Sequence, residues 1–168
     1  METIYPKSTH MDFNIAGSLN IASAATKARI IFTGLGADEI FSGYSRYRIA
    51  YKRAGFIELE KEMIFDMERL WIRNLGRDDR AIGCRAKEVR YPFLYLPLWL
   101  FLRTLPIEQL TEGQGEKMML RKVAKEFGLE MSSTFKKRAI QFGTRLAKLS
   151  NVKCFGSNRK AKGNHEYK

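Results

Sequence analysis

A short apolar strand that runs into a glycine turn most limits what this chain can fold into. Residues 28–33 (ARIIFT) contain β-branched side chains, follow a helical pattern and precede Gly34. This combination is typical of a buried parallel strand in an α/β unit, whose faces are covered by helices. It is the only convincing strand in the sequence. We therefore predict an α/β fold in which helices dominate.

Helical periodicity accounts for most of the remaining sequence. Hydrophobic residues make up 45% of the whole chain, which excludes a fully disordered protein. An apolar stripe includes Trp71 and predicts that this side chain is buried in a core. The predicted helices cover residues 13–26 with Asp12 as the cap, a run through Phe41, Tyr44 and Tyr47 that ends near Gly55, and residues 56–74, 77–88, 97–105, 115–127 and part of 132–150.

One domain over residues 1–150 and a tail over residues 151–168 are the predicted organisation. The tail is polar, rich in glycine and lysine and without periodicity, which predicts disorder. The net charge of +12 is concentrated late in the chain, because residues 115–168 hold 14 basic and 4 acidic residues. Such a region suits nucleic acid, an anionic surface, a polyphosphate ligand or simple solubility, and charge alone does not separate these.

The cysteines and the longest apolar run bear on the cellular setting. Cys84 and Cys154 have no spacing typical of a metal site or a redox pair, which favours a reducing, cytoplasmic environment. Residues 94–102 are too few, and too interrupted by proline, to span a bilayer. We therefore expect no membrane partner. A nucleic-acid partner is disfavoured because no known readout motif accompanies the basic charge.

The turn after the strand, residues 34–39 (GLGADE), is the candidate site. In open α/β sheets, ligands bind beyond the carboxyl ends of strands, where a following helix directs free N–H groups at an anion. Asp38 suits Mg²⁺, which prefers one or two carboxylates together with phosphate oxygens and water. The alternative interpretation of these residues is an ordinary tight turn in which Asp38 or Glu39 interacts with the helix dipole.

Together with three later blocks, this turn resembles the asparagine synthetase family. The turn and the Gly43-Tyr44 pair are similar to the family's glycine, acidic and Gly-Tyr signature, and residues 137–143 (KRAIQFG) resemble one branch distinct from the metabolic synthetases. Ordered blocks are more specific than any single motif. The remaining blocks are NLGRDDR at residues 74–80, EVRYPFL at 88–94 and EKMMLR at 116–121.

The resemblance implies the carboxy-terminal part of an ATP-pyrophosphatase domain with an adenine nucleotide α-hydrolase-like fold. The family makes asparagine from aspartate, ATP and ammonia released from glutamine by a separate amino-terminal domain. Lys117 resembles the family's pyrophosphate-contacting lysine, and Arg121 lies one helical turn later, where both reach one anion. A solvated basic helix face is the alternative. The residues implied for binding ATP and Mg²⁺ are Gly34, Gly36, Ala37, Asp38 and Glu39, with Asp38 as the metal ligand.

Three departures from the family pattern bear on activity. The phosphate loop Ser-Gly-Gly-x-Asp-Ser is not found in these residues, so we expect this chain alone to be inactive and to depend on an amino-terminal segment. Leu35 replaces the glutamate that many synthetases place between the two glycines, and leucine cannot accept a proton. Tyr95 stands where the family usually has aspartate. A degenerate synthetase fold that acts as a binding module is the competing hypothesis.

Overall fold

The computed structural model describes residues 9–111 and 117–146, and these form two compact units. Of the described residues, the first unit comprises 9–31, 76–89 and 138–146, and the second comprises 32–75, 90–111 and 117–137. Helices α1 to α9 span His10–Ala24, Ala37–Ile40, Ser45–Leu70, Gly76–Gly83, Leu96–Arg103, Ile107–Thr111, Met118–Glu126, Glu130–Thr134 and Ile140–Gly143. Strands β1 and β2 span Ile30–Phe32 and Glu88–Arg90, Trp71–Leu75 is a π-helix, and Pro92–Leu94 is a 3-10 turn. The predicted helix-rich α/β class is confirmed.

The first unit begins with a capped helix. Thr9 is the N-cap of α1, its hydroxyl accepts from the Asp12 N–H at 3.2 Å, and the Asp12 carboxylate accepts from the Thr9 N–H at 2.9 Å. This reciprocal arrangement is a capping box, which satisfies N–H groups that the first turn leaves without helical partners. The prediction that Asp12 is itself the cap was therefore wrong, because Asp12 lies in the first turn and Thr9 precedes the helix.

A buried arginine lies in the same unit. Ala16 of α1 and Ala81 of α4 form a small core, and Arg77 is 6% exposed at the start of α4. Its guanidinium donates to Asp12 at 3.0 Å and to Asp78 at 2.7 Å, while burial raises the pKa of Asp78. The block at residues 74–80 thus contributes a buried ion pair, which holds α4 against α1.

The two strands pair in parallel. The Glu88 N–H donates to the Arg29 carbonyl at 2.9 Å, and the Thr33 N–H donates to the Arg90 carbonyl at 3.0 Å, so both strands advance in the same direction. The prediction of a single strand was wrong, because β2 has only three residues and is too short for a pattern of alternation. The helix predicted to reach residue 88 ends at Gly83 instead. Ile30 and Phe32 are 46% and 71% exposed, so β1 is not buried as expected.

Two apolar clusters hold the second unit together. One joins Tyr47 to Leu59 and Met63 across a bend in α3, where Gly55 has a φ of 72° and the helical dihedrals are interrupted. The other packs α2 against α5 and α6 through Ala37, Ile40, Phe41, Leu102 and Leu110. The predicted end of a helical run near Gly55 is confirmed. Because Ala37 and Ile40 are buried on either side of Asp38 and Glu39, the backbone positions of these two acidic residues are fixed.

Several predicted features of the second unit were wrong in detail. The run through Phe41 and Tyr44 is not one helix, since Ser42 has a φ of 54° and separates α2 from α3. Trp71 is 65% exposed, because Leu70 takes the inward position and the next residue lies about 100° further around the helix. Phe127, the last residue of the helix predicted over residues 115–127, is 80% exposed just after α7.

Some predictions fall partly or wholly outside the described residues. The helix predicted over residues 115–127 begins in such a stretch, and its described part is α7. The described part of the region 132–150 holds α8, which starts earlier at Glu130, and α9. The predicted tail over residues 151–168 lies outside the described residues, and the assignment of residues 1–150 to one domain stays a prediction. Among the helices of the described ranges, none has the length and apolar character that crossing a membrane requires.

Candidate functional site

The glycine turn between β1 and α2 depends on close backbone packing. Gly36 has a φ of 94°, a conformation that L side chains rarely adopt, and a Cβ at this position would lie 2.5 Å from the Leu94 side chain. The Ala37 N–H donates to the Gly34 carbonyl at 3.2 Å, which closes the turn. Because α2 has only four residues, its dipole is small, and the predicted positive helix end contributes little to this site.

Asp38 is the carboxylate on which the predicted site converges. Its Oδ1 lies 3.3 Å from the Lys117 Nζ and 3.6 Å from the Lys137 Nζ. The three side chains are similarly covered, with exposed fractions of 22–24%. Oδ1 is itself buried and makes no hydrogen bond of good geometry in the described part of the chain. Asp38 and Lys117, both predicted from sequence, are thus brought together, and Lys137 is an addition.

Lys117 and Arg121 are arranged differently from the predicted pair. Lys117 is the N-cap of α7 in the left-handed conformation, with φ 58° and ψ 46°. That conformation costs an L residue about 1–2 kcal/mol, and such strain concentrates at functional sites. The Arg121 guanidinium donates to the Ser133 carbonyl at 2.7 Å, so at least one of its nitrogens anchors the α7–α8 connection. Only Lys117 of the two contacts Asp38.

Glu39 points away from solvent into a polar network. Its Oε1 accepts from the Tyr44 hydroxyl at 2.6 Å and lies 3.5 Å from the Arg73 Nη2. The side chain is 1% exposed, and its Oε2 is buried without a hydrogen-bond partner in the described residues. Burial raises the pKa of Glu39 above its usual value of 4.5, although the Tyr44 hydrogen bond acts in the opposite direction. Glu39 therefore holds the Tyr44 hydroxyl, and its predicted role in binding a nucleotide stays a prediction.

Asp66 is the hub of that network. Its carboxylate accepts from the Tyr47 hydroxyl at 2.6 Å and from Arg73 at 2.8 Å, and it pairs with Arg46. Burial acts to raise the pKa of Asp66, but the hydrogen bonds from Tyr47 and Arg46 and the positive charge of Arg46 and Arg73 hold it below its usual value of 3.8. No motif in the sequence pointed to Asp66. The position of this aspartate was the available sequence signal, because Asp66 lies on the buried stripe of α3 between Met63 and Leu70.

A pH prediction follows from Glu39. Its pKa is higher in the folded protein than in the unfolded chain, so as pH rises above about 4.5 the unfolded state ionises first and folding loses free energy. Glu39→Gln removes this loss. We expect the variant to gain stability relative to the parent as pH increases, measured by urea unfolding from pH 4.5 to about pH 8. Exposed Glu68→Gln is the control, and a difference between Glu39→Gln and the parent that does not vary with pH would contradict the prediction.

Comparison with known proteins identifies the class to which this fold and site belong. The chain matches the family model described as asparagine synthase over residues 57–147, and it belongs to that family. The matched residues include Lys117, Arg121 and Lys137, whereas residues 34–39 lie outside them. The family resemblance expected from the sequence is confirmed.

Two similar relatives are named for the domain, and a third is named as a synthetase. The chain is 42% identical to asparagine synthetase domain-containing protein 1 of Gallus gallus over 88% of its own length and 26% of that protein. It is 44% identical to the Homo sapiens protein of that name, over 79% of this chain and 21% of the relative. A Methanocaldococcus jannaschii protein provisionally named as a glutamine-hydrolysing asparagine synthetase is 38% identical over 48% of this chain and 15% of its own length. The chain spans about a quarter, or less, of the length of these relatives.

Proposed function

We propose that this chain is the carboxy-terminal part of the ATP-pyrophosphatase domain of a cytoplasmic, asparagine synthetase-like protein. The domain would have the adenine nucleotide α-hydrolase-like fold, with aspartate, glutamine and ATP as the substrates of the whole protein. The observation that carries the proposal is the 3.3 Å contact between the Asp38 carboxylate and the Lys117 ammonium, which joins two family motifs from distant parts of the sequence.

The donors at this position fit ATP with Mg²⁺. Asp38 offers one carboxylate whose Oδ1 makes no hydrogen bond of good geometry in the described residues, and Mg²⁺ is held in proteins by one or two carboxylates plus phosphate oxygens. Among the described residues, no three acidic, histidine or cysteine side chains cluster as an all-protein metal cage. When bound, the ion would neutralise charge on the phosphates. The backbone of Gly34, Gly36 and Ala37 would lie beside the phosphates.

The proposed reaction is activation of aspartate as its adenylate. The side-chain carboxylate of aspartate attacks the α-phosphorus of ATP, the bond to the β-phosphate oxygen breaks, and pyrophosphate leaves; ammonia from glutamine then displaces AMP. Lys117 would stabilise negative charge that develops on the leaving pyrophosphate, which is the kind of electrostatic contribution that dominates such reactions. The family's phosphate loop would come from the part of the protein beyond these residues.

A second candidate function rests on Leu35. Leucine stands between the two glycines and offers no group that accepts a proton or orients ammonia, which favours a synthetase fold retained as a binding module. Such a module would use the same contacts to bind a ligand without turnover. The two functions differ in whether asparagine is formed.

The test uses the full-length protein that contains this chain. Asp38→Ala and Lys117→Ala are each expected to weaken Mg²⁺–ATP binding about tenfold or more and to abolish asparagine formation, because Asp38 would hold the Mg²⁺ and Lys117 would face the phosphates. Titration calorimetry measures the affinity, and Lys125→Ala, on an exposed position of α7, is the matched control. ATP binding without asparagine formation in the parent protein would favour the binding module, and no ATP binding would contradict the proposal.

A further inference from the structure

The second unit contains a cavity of about 230 Å³ between α3, α5 and α6, with two residues of α2 in its wall. This volume lies below the roughly 300–1,000 Å³ of pockets that hold drug-sized ligands, so an occupant would be about as large as one aromatic side chain. Most of the wall is apolar, and four of its apolar residues are buried, namely Ile40, Met63, Leu102 and Leu110. The cavity therefore extends into the core of the unit.

A buried carboxylate interrupts this apolar wall. Glu39 lines the cavity, and its side chain is 1% exposed. Its Oε1 accepts from the Tyr44 hydroxyl at 2.6 Å and lies 3.5 Å from Arg73, whereas its Oε2 has no hydrogen-bond partner in the described residues. An acceptor that is removed from water and left unpaired costs free energy, which a suitable donor would recover. Oε2 therefore marks a position for a donor that the rest of the described chain does not supply.

The chemistry of the wall favours an organic donor over a lone water molecule. A buried water molecule typically makes about three hydrogen bonds to protein groups. The side chains of the buried apolar residues around the cavity offer at most the weak sulfur acceptor of Met63. A molecule with one donor group and an apolar body needs only one polar partner, and it fills the remaining space with favourable contacts.

The charges around the cavity favour a cation. Among the described residues that line it, three are glutamates and one is an arginine, a formal excess of two negative charges when all are ionised. The arginine, Arg103, is already paired with Glu60 at 3.0 Å. Arg73, which approaches the other oxygen of Glu39, is shared with Asp66 at 2.8 Å. A positively charged donor at the Glu39 Oε2 would therefore meet an incompletely neutralised carboxylate.

We propose that this cavity binds a small organic amine. Its ammonium group donates to the Glu39 Oε2, and its apolar body fills the space lined by Met63, Met67 and Trp99. The site uses neither Asp38 nor Lys117, so it is separate from the proposed Mg²⁺–ATP site. Binding of the amine requires no ATP and no asparagine formation, and it gives the unpaired oxygen of Glu39 a partner.

Titration calorimetry of the full-length protein with phenethylamine, in the absence of ATP, tests the site. The amine is expected to bind at least tenfold more tightly than phenethyl alcohol, which has the same body and a neutral donor, and hydrocinnamate, an anion of similar size, should not bind. Equal affinities for the amine and the alcohol would overturn the proposal.

A matched pair of variants tests the role of Glu39. Glu39→Gln keeps an acceptor for the Tyr44 hydroxyl but removes the charge, and it is expected to weaken phenethylamine binding about 10- to 100-fold. Glu62→Gln removes the same charge from α3 outside the cavity lining, and it should change the affinity less than about twofold. Equal effects of the two substitutions would overturn the proposal.

A second measurement needs no substitution. In the parent protein with isotopically labelled methionine methyl groups, phenethylamine should shift the NMR signals of Met63 and Met67, which line the cavity. The signal of Met131, which is 73% exposed and outside the lining, should not move. Absence of binding, or a shift of Met131 without shifts of Met63 and Met67, would overturn the proposal even where Glu39→Gln fails to fold. Amine binding with this pattern in a protein that forms no asparagine would support the cavity site and contradict only the proposed synthetase activity.

Discussion

Replacement of Asp66 by alanine is expected to lower the free energy of unfolding by about 3–5 kcal/mol, the usual loss when one partner of a buried ion pair is removed. The side chain of Asp66 is 5% exposed, and it is a common acceptor for Arg46, Arg73 and the Tyr47 hydroxyl. Without it, Arg46 and Arg73 would lose their shared carboxylate, and the fully buried Tyr47 would lose the acceptor of its hydroxyl. That loss is a large fraction of the roughly 5–15 kcal/mol that stabilises a typical domain.

Urea unfolding at neutral pH measures the effect of Asp66→Ala. Glu68→Ala is the matched control, because Glu68 lies on the same helix two residues later and is exposed; its replacement should change stability by less than about 0.5 kcal/mol. The protein should also lose stability in acid, since Asp66 has a lowered pKa and its contribution disappears as pH falls below about 3.8. A loss below about 1 kcal/mol in Asp66→Ala would show that the network is not structural.

The sequence led to the family and to part of the site. Gly36, Asp38 and Lys117 were identified through motifs, and motifs preserve residue order but carry no distances. The structure adds that Asp38 and Lys117 are in contact, and that Arg121 contacts Ser133 instead. Two side chains that are distant in sequence, such as Asp38 and Lys117, come into contact only through the packing of α2, α5 and α6. No local sequence pattern encodes that packing.

Other features were missed for identifiable physical reasons. Lys137 was noted only as part of a block typical of one branch of the family, because a lysine beside another lysine has no local signal that one of the two is directed inward. Asp66 lay within an apolar stripe, where a buried acid implies partners, and the arginines that supply them flank it on both sides. Strand β2 had too few residues to show alternation, and Trp71 lay one residue beyond the inward position of its helix.

Gly43 sets the position of the Asp38 carboxylate. Its N–H donates to the Asp38 carbonyl at 2.8 Å, so the backbone folds back closely over that residue. A Cβ at position 43 would overlap the Asp38 Oδ1 and would lie 2.7 Å from its Cγ and 2.9 Å from its Cα. The flexible carboxylate can rotate away from such a group, but the Asp38 backbone is held by the buried side chains of Ala37 and Ile40. Relief of the overlap therefore requires the Asp38 carboxylate to leave the position in which its Oδ1 contacts Lys117 and Lys137.

Gly43→Ala is accordingly expected to weaken binding of Mg²⁺–ATP at least tenfold and to lower the free energy of unfolding by about 1–3 kcal/mol. Calorimetry and urea unfolding of the full-length protein measure the two effects. Gly17→Ala is the control, because nothing lies within 4 Å of a Cβ at that helical position and stability should rise slightly. Adding Asp38→Ala to Gly43→Ala removes the overlapping carboxylate, so part of the lost stability should return while binding stays weak. Parent-like binding in Gly43→Ala would mean that the position of the Asp38 carboxylate does not control binding of Mg²⁺–ATP.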